Sequence, residues 1–212
     1  MTETVTPPTP TTAVSAIADP GPLGLAAFAL TTFLLSAHNA DLTDGTSAWL
    51  GFAFAYGGLV QLLAGMWEFR KGNVFGATAF STYGGFWIGL GLYVRLSEPT
   101  AAKLGGANAE SLVQNDLGWI LLAFAIFNTY MLLWSTQVNK AVFGVFLTLE
   151  VTEIVLFIGN FSHSAGTVKL GGWIGLLTAL VAWYASAAGV TNGMDNNRFS
   201  LPTGKAFFGL KS

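Results

Sequence analysis

The sequence predicts an all-α integral membrane protein whose six transmembrane helices pair as three hairpins in one bundle. Three observations point there. The chain has 212 residues, of which 52% are hydrophobic and only 9% charged, whereas a soluble domain carries about a quarter charged residues. Six apolar segments approach the roughly 20 residues that a 30 Å hydrocarbon core requires. Most of the connections between them are brief, which favours antiparallel neighbours.

In chain order, residues 1–19 are rich in Thr and Pro and hold no Lys or Arg. They lack the basic start and apolar core of a secretory signal, and are expected to form a disordered tail. The spans are expected near residues 23–37, 48–69, 74–94, 117–137, 141–159 and 170–190, within a single transmembrane domain over 20–192. Only 95–116, "RLSEPTAAKLGGANAESLVQND", reads as a longer loop. Residues 193–212 form a C-terminal tail. Basic residues set the orientation, because cytoplasmic loops retain Lys and Arg. With both termini inside, that side collects Arg70, Lys71, Lys140, Arg198, Lys205 and Lys211, and the outer side holds Arg95, Lys103 and Lys169. A multi-pass protein of the cytoplasmic membrane with cytoplasmic termini is the expectation.

Several chemistries are excluded. There is no cysteine, hence no disulfide, thiolate metal site or cysteine nucleophile. His38 and His163 have no partner at metal-ligand spacing, and no metal or cofactor is expected. The net charge of −2 carries no nucleic-acid signature. No Lys or Arg falls at the centre of a span, which removes a Schiff-base lysine and a voltage-sensing arginine row. Gly85 with Gly89, and Gly171 with Gly175, stand at the spacing that lets helix backbones approach. The first, third and fifth spans each open on a large apolar residue followed by glycine: Leu23-Gly24, Phe75-Gly76 and Phe143-Gly144. This suggests three hairpins in a ring whose odd-numbered helices play equivalent roles.

The first span opens with "DPGPLGLAAFALTTFLLSAHN". Proline suits the first helical turn, and helix starts leave unpaired N–H groups at the positive end of the dipole. Leu23, Gly24 and Leu25 are therefore candidate amide donors to a small anion, the alternative being a helix start capped by Asp19 or by water. The run Asp19, Pro20, Gly21, Pro22, Leu23, Gly24, Leu25 with Phe28 resembles the signature of the acetate uptake transporter family, of the succinate-acetate permease type. The similarity continues through "TTFLLSAHN", "YGGLVQLLAGMWEFRKGNVFGATAFSTYGGFW", "IGN", "GGWIGL" and "LPTG". The family's usual Asn stands as Asp19 here.

The resemblance implies a homohexamer in the lipid bilayer with a pore within each protomer. It implies passage of acetate and related small carboxylates, succinate among them, by channel-like or proton-coupled transport. Aligned blocks place an apolar constriction on Phe28, Tyr83 and Leu149. Around it, Phe28, Thr31, Thr32, Leu35 and Asn39 share one stripe of the first span. Thr31, Thr32, Asn39 and Asn160 are candidate substrate-binding residues. Leu149, Glu153, Leu156 and Asn160 share a stripe of the fifth span, with Glu150 turned by about 100° towards Phe146 and Phe157.

A carboxylate at mid-membrane costs roughly 2.5–3.5 kcal/mol on insertion scales. Glu153 is therefore the first candidate proton site, and Glu150 the second, at a helix or subunit contact. Alternatively both belong to a buried hydrogen-bond network with Thr148, Thr152 or Asn128. In the second span Gly57, Gln61, Gly65 and Glu68 line up; Glu68, followed by Arg70 and Lys71, is assigned to a surface or interfacial ion cluster, the alternative being a substrate role. An intramembrane enzyme would need a nucleophile and base or a metal cluster at membrane depth, and none is visible. An acetate-binding membrane sensor without transport is the competing function.

Overall fold

The computed structural model describes residues 17–104, 106–196 and 198–208. Most of the 1–19 tail, and Lys211 with its neighbours, lie outside the described residues. The described elements are helical: α1 (Gly21–Asn39), α2 (Ser47–Phe54), a π-helical stretch (Ala55–Val60), α3 (Gln61–Lys71), α4 (Val74–Leu104), α5 (Gly106–Ser135), α6 (Lys140–Phe161) and α7 (Ala165–Gly193). From α2 to α3 the backbone is one continuous span.

Among the described residues, five stretches are long and apolar enough to cross a membrane, namely Gly21–Asn39, Ala48–Lys71, Glu110–Ser135, Lys140–Phe161 and Ala165–Gly193. The remaining long helix, α4, is diluted by Gly76, Gly84, Gly85, Gly89 and Gly91. Its place in the fold nevertheless makes it the sixth span. The α2–α3 span packs on both α1 and α4, α4 on α5, α5 on α6, α6 on α7, and α7 returns to α1. The six spans thus close into a ring.

Close approach around the ring depends on glycine. A Cβ on Gly172 of α7 would meet the backbone of Asn39 and Ala40 at the end of α1, and one on Gly175 would meet Ser36. On α4, Gly84 lies against the backbone of Leu62. These contacts join α7 to α1 and α3 to α4, as the small-residue rule for membrane helices anticipates. Gly171 also packs, against Leu156. Gly85 and Gly89 do not, since nothing among the described residues lies within reach of a Cβ at either position. They face outward from the ring.

The expected loop over 95–116 is mostly helix. α4 continues to Leu104 and α5 starts at Gly106, whose φ of 63° provides the left-handed reversal. The Tyr93 hydroxyl lies 3.2 Å from the Asp116 carboxylate, tying the two extensions together. At the other end of the chain, residues 201–207 fold back on the bundle. Asn192 exchanges two hydrogen bonds with Leu201, the Tyr184 hydroxyl donates to the Pro202 carbonyl, and the Ala141 amide donates to Thr203. Phe207 packs edge to face against Phe143 beneath Lys140.

Candidate functional site

Two cavities enter the ring from opposite ends. The proximal one, of about 180 Å³, lies at the starts of α1, α4 and α6, beside the folded-back C-terminal stretch. The distal one, of about 470 Å³, lies at the ends of α1, α4 and α6 and the start of α5. Between them sit Phe28, Tyr83 and Leu149, which are 4%, 3% and 6% exposed and belong to one buried apolar cluster. The Phe28 and Tyr83 rings meet edge to face with centroids 5.6 Å apart. Phe86, Phe124 and Phe127 surround Tyr83 at 5.5–6.3 Å. The sequence analysis did not single out Phe124 and Phe127, although their spacing on α5 could have exposed them.

The three central residues have matching surroundings. Three positions before them stand Leu25, Phe80 and Phe146, all lining the proximal cavity. Seven positions after them stand Leu35, Leu90 and Leu156, and eleven after them Asn39, Val94 and Asn160, all lining the distal cavity. Offsets of three, seven and eleven keep one helix face, so α1, α4 and α6 turn equivalent faces to a common axis. About 10 Å of helix rise separates the central residues from the leucines beyond them. This is the equivalence of odd-numbered spans that the Leu-Gly and Phe-Gly openings suggested.

A polar chain leads away from the centre. The Tyr83 hydroxyl donates to Asn128 Oδ1 at 2.9 Å and lies 3.4 Å from Glu153 Oε1. Asn128, fully buried, passes its own donors to the Phe146 carbonyl and to Glu150 at 2.7 Å. Thr129 reaches the other oxygen of Glu150, also at 2.7 Å. Glu150 thus bridges α6 to α5, as a helix-contact residue. Glu153 is 4% exposed, and its second oxygen has no hydrogen-bond partner among the described residues. Of the other expected network members, Thr152 pairs with Thr178 of α7 and Thr148 bonds the carbonyls of its own helix.

Several candidate residues take different positions from those expected. Thr31 is fully buried, donates to the Ala27 carbonyl, and abuts Gly57 of the second span rather than the axis. Its neighbour Thr32 retains a buried, unpartnered hydroxyl. Asn39 and Asn160 line the distal cavity together with His38, whose Nδ1 is buried and unpartnered. At the opening of α1 the helix begins at Gly21, two residues before the expected start. The Gly21 amide is taken by Asp19 Oδ1 and the Gly24 amide by the Pro20 carbonyl. Gly24 serves packing, since a Cβ there would meet the Phe80 ring at 2.7 Å. Leu23 is 47% exposed on the outside of the bundle, while Leu25 lines the proximal cavity. The Asp19 cap, held in an ion pair with Lys71 at 2.8 Å, is thus the arrangement seen at this helix start.

Glu68 also differs from its expected place. It is 1% exposed and lines the proximal cavity instead of joining Arg70 and Lys71 in a surface cluster. The periodicity had aligned it with Gly57, Gln61 and Gly65, all buried, and that pattern was the better guide. The adjacent basic residues obscured it.

Comparison with known proteins agrees with this architecture. A solved structure described as that of the bacterial acetate channel SatP superposes with a TM-score of 0.78 at 33% identity, covering 89% of this chain and 99% of that one. The succinate-acetate/proton symporter SatP of Escherichia coli is 35% identical over 190 residues, 90% of this chain and 97% of its own length. Acetate permease A of Emericella nidulans is 41% identical over 198 residues, 87% of this chain; the match spans 65% of the fungal protein. The sequence profile of the GPR1/FUN34/yaaH family matches residues 1–205. With that match over nearly its whole length, and with six spans closed around the Phe28–Tyr83–Leu149 centre, the chain belongs to the GPR1/FUN34/yaaH family.

Proposed function

We propose that this protein carries acetate and related small carboxylates across a membrane, along the axis of each six-helix ring. The observation that carries the reading is the pair of cavities on either side of one aromatic and aliphatic neck, built from equivalent faces of α1, α4 and α6. A neck of Phe28, Tyr83 and Leu149 selects by size and by the cost of dehydrating the anion. The relatives named as acetate permease, acetate channel and succinate-acetate/proton symporter supply the substrate class. Asn39 and Asn160 provide polar contacts on the distal side of the neck.

Glu153 serves as the proton site. The Tyr83 phenol has one hydrogen, and its shorter bond uses it on Asn128. The 3.4 Å contact is then a hydrogen bond only when Glu153 carries the proton. The unpartnered second oxygen of Glu153 is free to meet a passing carboxylate or water. Glu150, held by Asn128 and Thr129, is the structural member of the pair.

The protomers assemble as a homohexamer in the cytoplasmic membrane, both termini inside, so that the proximal cavity faces the cytoplasm. Gly85 and Gly89, at contact spacing on the outer face of α4 with nothing among the described residues against them, support an assembled state. Transport is the whole activity in this reading, with no enzymatic step.

The test is uptake of labelled acetate into sealed vesicles, first at equal pH and then with an inward proton gradient. Gradient-driven accumulation that is lost in Glu153→Gln supports the proton role. Saturable exchange without accumulation assigns a facilitated pore and removes that role. Acetate binding without any flux would instead make the protein a sensor.

A further inference from the structure

Glu68 has no part in the neck, yet its placement is specific. Its carboxyl group is wedged between the starts of two pore-lining helices. A Cβ on Gly76 of α4 would lie 2.8 Å from the carboxyl carbon, and one on Gly21 of α1 would lie 3.4 Å from Oε1. At Gly76 only glycine leaves the space, whereas at Gly21 the carboxyl sits in ordinary contact. Asn73, which caps α4 by accepting from the Gly76 amide, stands beside the Glu68 carboxyl, its Nδ2 being 2.7 Å from the same Gly76 Cβ position. Oε2 is buried and has no hydrogen-bond partner among the described residues, although the residue lines the proximal cavity.

The other charged groups lining this cavity are few. They are Asp19, from the start of α1, and Lys71, on the same helix as Glu68. These two pair with each other at 2.8 Å. The lining residues contributed by α4, α6, α7 and the C-terminal stretch include no titratable group. What faces the Glu68 carboxyl is therefore the positive ends of α1 and α4, the environment that an anion seeks.

We infer that Glu68 is a resident anion in the proximal cavity, a tethered carboxylate that occupies the helix-start site until a substrate carboxylate arrives and that then takes up a proton. The inference rests on the transport reading above. Two negative charges do not fit comfortably beside one pair of helix starts. On substrate entry a proton from cavity water converts the Glu68 carboxylate to the acid, and it returns to water when the substrate leaves. Glu68 is thus a second proton-binding position, separate from Glu153 and on the other side of the neck from the distal cavity.

The experiment is calorimetry of acetate binding to the full chain in lipid nanodiscs, run in two buffers of different ionisation enthalpy to count protons. Glu68→Gln keeps the shape and is expected to lower the count by about one proton per acetate. An unchanged count in this variant overturns the inference. Should Glu68→Gln not fold, the count is taken on Glu153→Gln. Uptake of about one proton there supports Glu68, and zero overturns it. Acetate exchange by wild-type vesicles is measured alongside. Exchange with an unaltered proton count sinks only the Glu68 role, whereas absence of both binding and exchange sinks the transport reading.

Discussion

Replacing Tyr83 by phenylalanine removes one oxygen and leaves the aromatic contacts with Phe28, Phe86, Phe124 and Phe127 in place. The loss falls on Asn128, whose Oδ1 accepts from that hydroxyl at 2.9 Å and which has no solvent exposure. Leaving a buried acceptor without its donor costs about 1–3 kcal/mol. For a chain of this length that corresponds to a fall in Tm of roughly 2–12 °C. Asn128 also holds Glu150 and the Phe146 carbonyl, so the damage should extend along the chain of bonds between α5 and α6. The assay is thermal unfolding followed by size-exclusion chromatography, applied as double-mutant cycles of Tyr83→Phe with Asn128→Leu and with Glu153→Gln. Coupling should be larger with Asn128 than with Glu153, in keeping with bond lengths of 2.9 and 3.4 Å. Additivity within about 0.5 kcal/mol in both cycles would show that the network is only a spatial coincidence.

Gly172→Ala should destabilise the bundle by about 1–3 kcal/mol or more, because the added methyl meets the backbone of Asn39 and Ala40, which cannot swing aside. Gly85→Ala, with open space around it, should leave protomer stability unchanged and weaken assembly, as read by mass measurement in lipid. Phe28→Leu should relax size selection at the neck, raising flux of butyrate relative to acetate by about tenfold in competition uptake, since pocket discrimination by a methylene or two is of that order. Phe207→Ala removes a ring packed 4.9 Å from Phe143 and 5.5 Å beneath Lys140. The contacts together contribute about 1–2.5 kcal/mol, so limited proteolysis should cut the C-terminal stretch faster while the helices stay protected.

Composition alone makes the helical spans legible, and the blocks shared with the family point to Phe28, Tyr83 and Leu149 as one group. Helical periodicity within each span then predicted which leucines and asparagines would share their face. What escaped depended on contacts between spans. Thr31 and Thr32 are adjacent to one stripe, and only the neighbouring Gly57 decides that Thr31 turns away from the axis. Residues 95–116 contain proline and paired glycines, which read as breakers, yet the Ala- and Leu-containing segments on either side are helix formers. Glu68 precedes two basic residues and so resembles a surface position. Its burial follows from Gly21 and Gly76, which lie 47 residues before it and eight after it in the chain. α1 begins at Gly21, in the turn that the short first span borrows, with Pro20 as its N-cap and Pro22 in its first turn.

The starts of α1, α4 and α6 all border the proximal cavity, so the peptide dipoles of the three pore-lining helices point the same way along the axis. Each contributes about half a positive charge at that end. The permeation path is therefore electrically lopsided before any substrate enters. An anion is held more favourably at one mouth than at the other. Under equal concentrations on both sides, a voltage of one sign should drive carboxylate current more readily than the same voltage reversed, making the ring a rectifier by virtue of its backbone alone.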